Sequence, residues 1–407
     1  MSAVLAALVA WHAFRLVPTL DAVVRDARAP AAVRWRFAAD GGISSSPTYA
    51  DGVVYVDSNA RTLSALDYAT GRLRWQFSAD NDLMSAPLLD GTIAIVSSGD
   101  AEPMVWDPPH FIALGAGPST IYGIDLHTGR ELWRVPIART GMPSGAIVRG
   151  TYVHFDGMGT LLALDPRTGA LRWRVNLTST ATMSAIEDLG DGTMLVSGGF
   201  PNAVYRVRVR DGSLVWSHRF PTCRAAFSDQ PVATDGRRVY GGYLRMLDRN
   251  PACFGERGEG EQHAYALDLR TGALLWDRRL GRGVVPPRNE AAIPLVADGR
   301  LYVGSSVEPV MHALDAATGR VLWERRVRGA VKGGAVTVDG KLYFGDLGGV
   351  LWALDARTGA VRGALHERVA FNVGSPIVVN RTLVIGSLQG DVLAVPLAEI
   401  LRARLAP

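Results

Sequence analysis

Residues 65–75 read Ala-Leu-Asp-Tyr-Ala-Thr-Gly-Arg-Leu-Arg-Trp, and the frame A-x-D-x-x-T-G-x-x-x-W returns from Ala163 to Trp173, Ala266 to Trp276 and Ala313 to Trp323. Variants run from Gly123 to Trp133, from Arg206 to Trp216 and from Ala353 to Gly363. A repeat of roughly 40 residues carried by short β-type segments is the mark of stacked supersecondary units closed into a propeller. Upstream of each copy lie a small-residue stretch, a turn and an alternating apolar run. In the first copy these are Ser45-Ser46-Pro47-Thr48, Asp51-Gly52 and Val53-Val54-Tyr55-Val56. Such runs bounded by Asp-Gly turns are antiparallel strands of a meander. Four of them make a blade, lettered A at the centre to D at the rim.

Counting closes the ring. D strands end at Trp35, Trp75, Trp133, Trp173, Trp216, Trp276, Trp323 and near Gly363, and the last A, B and C set runs from Gly374 to Ala394. The segment Val33-Arg34-Trp35-Arg36-Phe37 is a D strand with no A, B or C before it. Pairing it with the last set removes two exposed edges. The expectation is an all-β, eight-bladed β-propeller of four-stranded antiparallel blades, closed by an N-terminal strand. Residues 31–396 form the ring, 1–30 an apolar N-terminal segment and linker, and 397–407 a short helical-looking tail.

The repeated residues have structural jobs. Asp67, Asp125, Asp165, Asp268 and Asp315 can accept backbone N–H groups and start a tight turn. Gly71, Gly129, Gly169, Gly272 and Gly319 supply the positive φ of a bulged hairpin. Trp75, Trp133, Trp173, Trp216, Trp276 and Trp323 offer a broad apolar face and one donor to the seam between blades. Burying such an indole is worth at most roughly 4–6 kcal/mol. Two copies depart from the pattern: Arg206 and Arg208 stand where Ala and Asp are usual, and Gly363 stands where Trp is usual. Both seams are expected to be weaker.

These residues resemble the tryptophan-docking repeats of the pyrroloquinoline-quinone-type (PQQ-like) eight-bladed propellers, over about residues 33–396. Trp-Asp occurs only at Trp106-Asp107 and Trp276-Asp277, which argues against WD40 blades. Within the superfamily the chain is most similar to the outer-membrane assembly factor B group. That likeness implies a non-enzymatic, extracytoplasmic scaffold that binds a protein partner in the cell envelope. The alternative relatives, quinoprotein dehydrogenases, imply an enzyme binding PQQ and calcium at the axial mouth. For that role the A-strand starts offer Asp229, Asn289, Glu290, Lys332 and Asn372, but most other mouth positions are small. The vicinal cysteine pair of many such dehydrogenases and a C-x-x-C-H haem site are both missing.

A net charge of +4 and the lack of any RNA-binding motif argue against nucleic acid. A monomer is expected. Residues Ala3 to Phe14 form an apolar run about as long as a signal-peptide core, without a positive flank and too short to span a bilayer. It reads either as a signal-peptide remnant or as a membrane-proximal helix that would give peripheral membrane association. The only cysteines, Cys223 and Cys253, fall in connections that share a face, so a disulfide is favoured, fitting an oxidising periplasmic or cell-envelope location. Two B–C connections on that face are about 20 residues longer than the rest, at Asp100–Thr120 and Gly242–Gln262. Long loops are usually functional or disordered. Trp106, His110 and Phe111 in the first are candidates for partner binding, as are the basic residues Arg325, Arg326 and Arg328. The histidines form no metal-spaced pair, and no catalytic residue is assigned.

Overall fold

The structure, a computed structural model, describes residues 33–99, 104–107, 112–115, 117–137, 144–179, 186–199, 202–220, 231–247, 259–284, 292–371 and 374–404. Eight four-stranded antiparallel sheets form the ring. Blade 1 runs from Thr48 to Ser78, blade 2 from Leu88 to Ile137, blade 3 from Ser144 to Asn176 and blade 4 from Glu187 to Arg219. Blade 5 runs from Ala233 to Val284, blade 6 from Leu295 to Arg326 and blade 7 from Val336 to His366. Blade 8 combines Ile377–Val379, Thr382–Gly386 and Asp391–Pro396 with the N-terminal strand Trp35–Ala38. Trp35 pairs with Ala394 and Phe37 with Val392, so the two ends of the chain are zipped together as expected.

Burial follows strand position. B and C strands such as Val53–Ser58 and Thr62–Asp67 are enclosed almost throughout, whereas the outer strand Leu73–Ser78 alternates between half-buried and exposed. Apolar clusters lie between neighbouring sheets: one joins Val153, Phe155 and Leu161 of blade 3 to Met194, Val196 and Tyr205 of blade 4.

The turn chemistry is local. Asp67 accepts the Thr70 N–H at 3.0 Å and the Thr70 hydroxyl at 2.9 Å, and the Gly71 N–H closes the turn on the Asp67 carbonyl at 2.7 Å. Gly71 sits at φ +72°, a conformation that costs a residue with a Cβ. Gly71 has a second duty that spacing does not disclose. A Cβ there would lie 2.7 Å from the Trp35 ring of the preceding blade. The same stacking recurs as Gly129 on Trp75, Gly169 on Trp133, Gly212 on Trp173, Gly272 on Trp216, Gly319 on Trp276 and Gly359 on Trp323. The repeat's glycine and the previous blade's tryptophan are thus one contact. Most of these indoles also donate to the carbonyl after the next blade's turn-starting residue, as Trp75 does to Leu126 at 3.0 Å and Trp173 to Val209 at 2.9 Å.

At both motif departures other groups bridge the seam. In blade 4 the Arg206 guanidinium reaches Asp191 at 2.6 Å, the Thr193 hydroxyl at 2.9 Å and, across the seam, the Leu269 carbonyl at 3.0 Å. Trp216 donates to that same carbonyl at 3.0 Å, so blades 4 and 5 are tied twice. In blade 7 the missing indole is replaced by the chain's own end. Helix α1, Leu397–Arg402, lies on Gly363, where a Cβ would sit 2.7 Å from the Leu401 Cα and closer still to the Ile400 carbonyl. Leu397 and Ile400 are fully buried in this seam, and the Ala364 N–H donates to the Ala403 carbonyl at 3.2 Å. A helix of six residues has no stability of its own in water; packing holds it. Nearby Trp352 does not stand in for the absent ring, since its N–H is bound within blade 7 to Asp346 at 2.8 Å.

Candidate functional site

The D–A and B–C connections share one face of the ring, here the upper face, and the A–B and Asp-x-x-Thr-Gly turns share the lower. Both long inserts rise from the upper face. In blade 2 the insert contains a separate two-stranded sheet, Met104–Asp107 against Ile112–Gly115, with Trp106 opposite Ala113. It belongs to none of the eight blades. His110 and Phe111 lie outside the described residues. In blade 5 much of the insert is the blade itself grown longer. Its strands Arg238–Met246, Glu259–Asp268 and Leu274–Val284 have 9, 10 and 11 residues, against 5, 6 and 6 in the corresponding strands of blade 6.

The extension carries a polar network that the sequence reading did not anticipate. Asp277 receives the His263 Nδ1 at 2.6 Å and the Tyr243 hydroxyl, and the Tyr243 and His263 rings stack at 4.8 Å. Glu261 pairs with Arg279 at 3.1 Å and lies 3.7 Å from both Arg245 and the His263 Nε2. Burial works against the charge on Asp277, but the hydrogen bonds from His263 and Tyr243 outweigh it and hold its carboxyl below the ordinary range. Burial and the Asp277 carboxylate together push the Tyr243 hydroxyl up. An Asp–His pair can serve proton transfer. Here the His263 Nε2 is enclosed within the blade, 3.7 Å from Glu261, and the Asp277–His263–Tyr243 group ties three strands together. The cross-strand pairing of Tyr243 with His263 was the available signal, visible once the hairpin register is known.

Other upper-face carboxylates are also engaged. Asp80 accepts the Ser98 and Thr120 hydroxyls, each at 2.6 Å. Asp156 accepts the Met158 and Thr160 N–H groups, and Asp346 those of Arg328, Gly329 and Val350. These groups fasten loops. Buried Asp57 differs: it accepts the Ser45 hydroxyl, its Oδ2 has no partner, and burial pushes its carboxyl up to about 7. Glu367, buried, takes Arg36 at 2.7 Å and so fastens the closing strand to the end of blade 7. It lines a recess of about 230 Å³ with Leu347, His366, Val369 and Gln389.

The axial candidates fare unevenly. Asp229, Asn289, Glu290 and Asn372 lie outside the described residues. Lys332 is buried, and its ammonium offers calcium no oxygen. Inner strands meet closely: the Ile293 N–H donates to the Lys332 carbonyl at 3.2 Å, and the Ser375 N–H to the Ser46 side-chain hydroxyl at 2.9 Å. Among the described residues no group of three or more His, Cys, Asp or Glu could hold a metal. Of the five mouth candidates only Lys332 is among the described residues.

The basic stretch divides. Arg325 is a seam residue whose Nε donates to the Gly359 carbonyl of blade 7 at 2.8 Å, as Arg278 does to Gly319 at 3.1 Å. Only Arg326 and Arg328 of the expected cluster are exposed, because positions along a D strand alternate between the seam and solvent. Cys223 and Cys253 lie outside the described residues, and nothing among the described residues supports the expected disulfide. No described helix is long and apolar enough to cross a membrane.

Comparison with known proteins follows the same geometry. The family model described as "Outer membrane protein assembly factor BamB" matches residues 21–193, 117–245 and 260–399. Tetrathionate hydrolase from Acidithiobacillus ferrooxidans is 25% identical over 377 residues, covering 88% of this chain and 74% of that protein. Outer membrane protein assembly factor BamB from Yersinia pestis is 24% identical over 212 residues, 46% of this chain and 49% of that one. In solved structures the fold matches BamB from Moraxella catarrhalis with a TM-score of 0.68 at 18% identity, over 89% of this chain and 98% of that one. Quinohemoprotein alcohol dehydrogenase from Comamonas testosteroni matches with a TM-score of 0.63 at 14% identity, over 92% and 77%. At such identities the structural likeness is one of fold. With the family's repeats spanning nearly the whole ring, this chain belongs to the PQQ-like propeller family of outer membrane protein assembly factor BamB.

Proposed function

We propose that the protein is a non-catalytic, extracytoplasmic scaffold that holds a protein partner in the bacterial cell envelope, in the service of outer-membrane protein assembly. The observation that carries this reading is the two-stranded sheet Met104–Asp107/Ile112–Gly115 standing apart from the blades on the upper face. An isolated pair of strands is marginal in water and gains stability from a third strand or an apolar surface. Its edges can pair with an extended segment of a partner, the recognition mode in which main-chain bonds give affinity and alternate side chains give specificity. The engaged state of Asp80, Asp156, Asp277 and Asp346 supports the same reading, since these groups hold loops in place.

The test is photocrosslinking in the native cell envelope from position 105, combined with a variant in which residues 103–116 become a short turn. A discrete crosslinked partner, lost in the shortened variant and accompanied by depleted outer-membrane barrel proteins, is the expected result. Unchanged crosslinking elsewhere on the upper face with normal barrel levels would reject the reading. A second reading, hydrolysis of an anionic sulfur compound, is favoured by one observation: the tetrathionate hydrolase match spans 88% of this chain, against 46% for the Yersinia BamB. Disappearance of tetrathionate on addition of the purified protein would establish it.

A further inference from the structure

Where six other copies of the repeat carry Asp67, Asp125, Asp165, Asp268, Asp315 and Asp355, blade 4 carries Arg208. The turn does not need the change. Its backbone bond is kept, from the Gly212 N–H to the Arg208 carbonyl at 2.9 Å, and Asp211 takes over the capping by accepting the Ser213 N–H at 2.9 Å. What the substitution alters is a groove of about 570 Å³ on the lower face, in the seam between blades 3 and 4. Arg149, Arg172, Arg208 and Arg210 line it with a single carboxylate, Asp191. Asp191 is already paired with Arg206 at 2.6 Å, Arg172 with Asp165 at 2.8 Å and Arg210 with Asp211 at 2.9 Å. Arg149 donates to the Gly190 carbonyl at 3.0 Å and Arg208 to the Ser213 hydroxyl at 3.2 Å, and among the described residues neither guanidinium is paired with a carboxylate. One comes from blade 3 and the other from blade 4. The Trp173 indole and Val209 supply an apolar wall.

We propose that this groove binds a small molecule carrying two oxyanion groups, one held by Arg149 and the other by Arg208. Guanidinium forks match carboxylate and phosphoryl oxygens in pairs, which a lysine could not do as well. The volume lies within the range of small-molecule sites, and the indole wall tolerates an organic spacer between the two groups. The site lies on the face opposite the inserts and does not rest on the scaffold reading.

Titration calorimetry of the full chain at constant ionic strength tests it, with pyrophosphate, succinate and sulfate as probes. Saturable one-site binding of pyrophosphate or succinate is expected, at least tenfold tighter than sulfate, and the preferred one of the two identifies phosphoryl or carboxylate recognition. Arg208→Asp restores the residue of the other repeats and is therefore expected to fold; it should weaken binding at least tenfold. Arg149→Gly, at φ +49° where glycine is at ease, should weaken it as well. Arg282→Ala on the upper face should change nothing. Absent saturable binding, equal binding by Arg208→Asp, or preference for an acidic peptide over both small dianions would overturn the proposal.

Discussion

The seam between blades 5 and 6 and the seam between blades 7 and 8 perform one task with unlike parts. In the first, Trp276 stacks on Gly319 and donates to the Ala316 carbonyl at 3.2 Å, the arrangement repeated around most of the ring. In the second, no turn follows in blade 8 because the chain turns into α1 directly after Pro396, and Leu397 and Ile400 fill the space over Gly363. The difference shows that a seam requires filled apolar volume and a tie between backbones, whichever side chain provides them. Between these extremes lies the seam of blades 2 and 3. There Gly123 replaces the usual Ala, the Trp133 ring settles over it, and the indole N–H is buried without a partner.

The comparison breaks most severely at an intact seam. Trp75→Ala should cost about 3–5 kcal/mol in denaturant unfolding, because a large, half-buried seam ring leaves a gap that rigid sheets cannot close. Next, in that same seam of blades 1 and 2, comes buried Asp57. Its carboxyl is raised in the folded state to about 7 from 3.8, so the folded chain keeps a proton that the unfolded chain releases between those values. Stability should therefore fall as pH rises from about 4 to 7, by on the order of 4 kcal/mol, and level off above. Asp57→Asn should flatten that slope and unfold later than the parent at pH 8.

At the helix-filled seam, Ile400→Ala should cost about 2–4 kcal/mol. If Gly363→Trp destabilises the parent yet is tolerated once residues 397–407 are removed, indole and helix are interchangeable; destabilisation in both backgrounds would refute that. Arg206→Ala should cost about 1–2 kcal/mol through the lost bond to Leu269 and the uncovered Trp216. Hydrogen bonds from Thr193 and Arg206 outweigh burial and depress Asp191, so its share is present at neutral pH and disappears on acidification through its lowered value. An unfolding curve of Arg206→Ala indistinguishable from the parent's would remove Arg206 from the seam. The smallest difference is the most specific. Trp173→Phe loses a satisfied indole bond, whereas Trp133→Phe loses an N–H that has none, so the first should be less stable than the second by about 1 kcal/mol.

Much of the fold is legible in the sequence. The eight-fold count and the turn roles of Asp67 and Gly71 follow from residues close in sequence, whose geometry is fixed by local backbone chemistry; the closing strand followed from the count, which left one D strand and one A–B–C set without partners. The candidate site was less legible. Spacing found the blade 2 insert but not that Met104–Asp107 and Ile112–Gly115 would pair apart from the blades. It grouped Arg325 with Arg326, although alternation along the strand sends one into the seam and the other to solvent. The Asp277–His263–Tyr243 clamp joins three strands, so no window of sequence contains it.

By itself, the sequence determined the periodicity, because the hairpin turn needs its glycine at positive φ in every copy and takes an aspartate acceptor in six of the seven. Tertiary structure decided what each seam contains. Whether Gly363 marks a defect or a berth for α1, and whether Arg206 and Arg208 weaken blade 4 or bridge and charge its seams, depends on groups tens to hundreds of residues away. Those distances close only when the ring does.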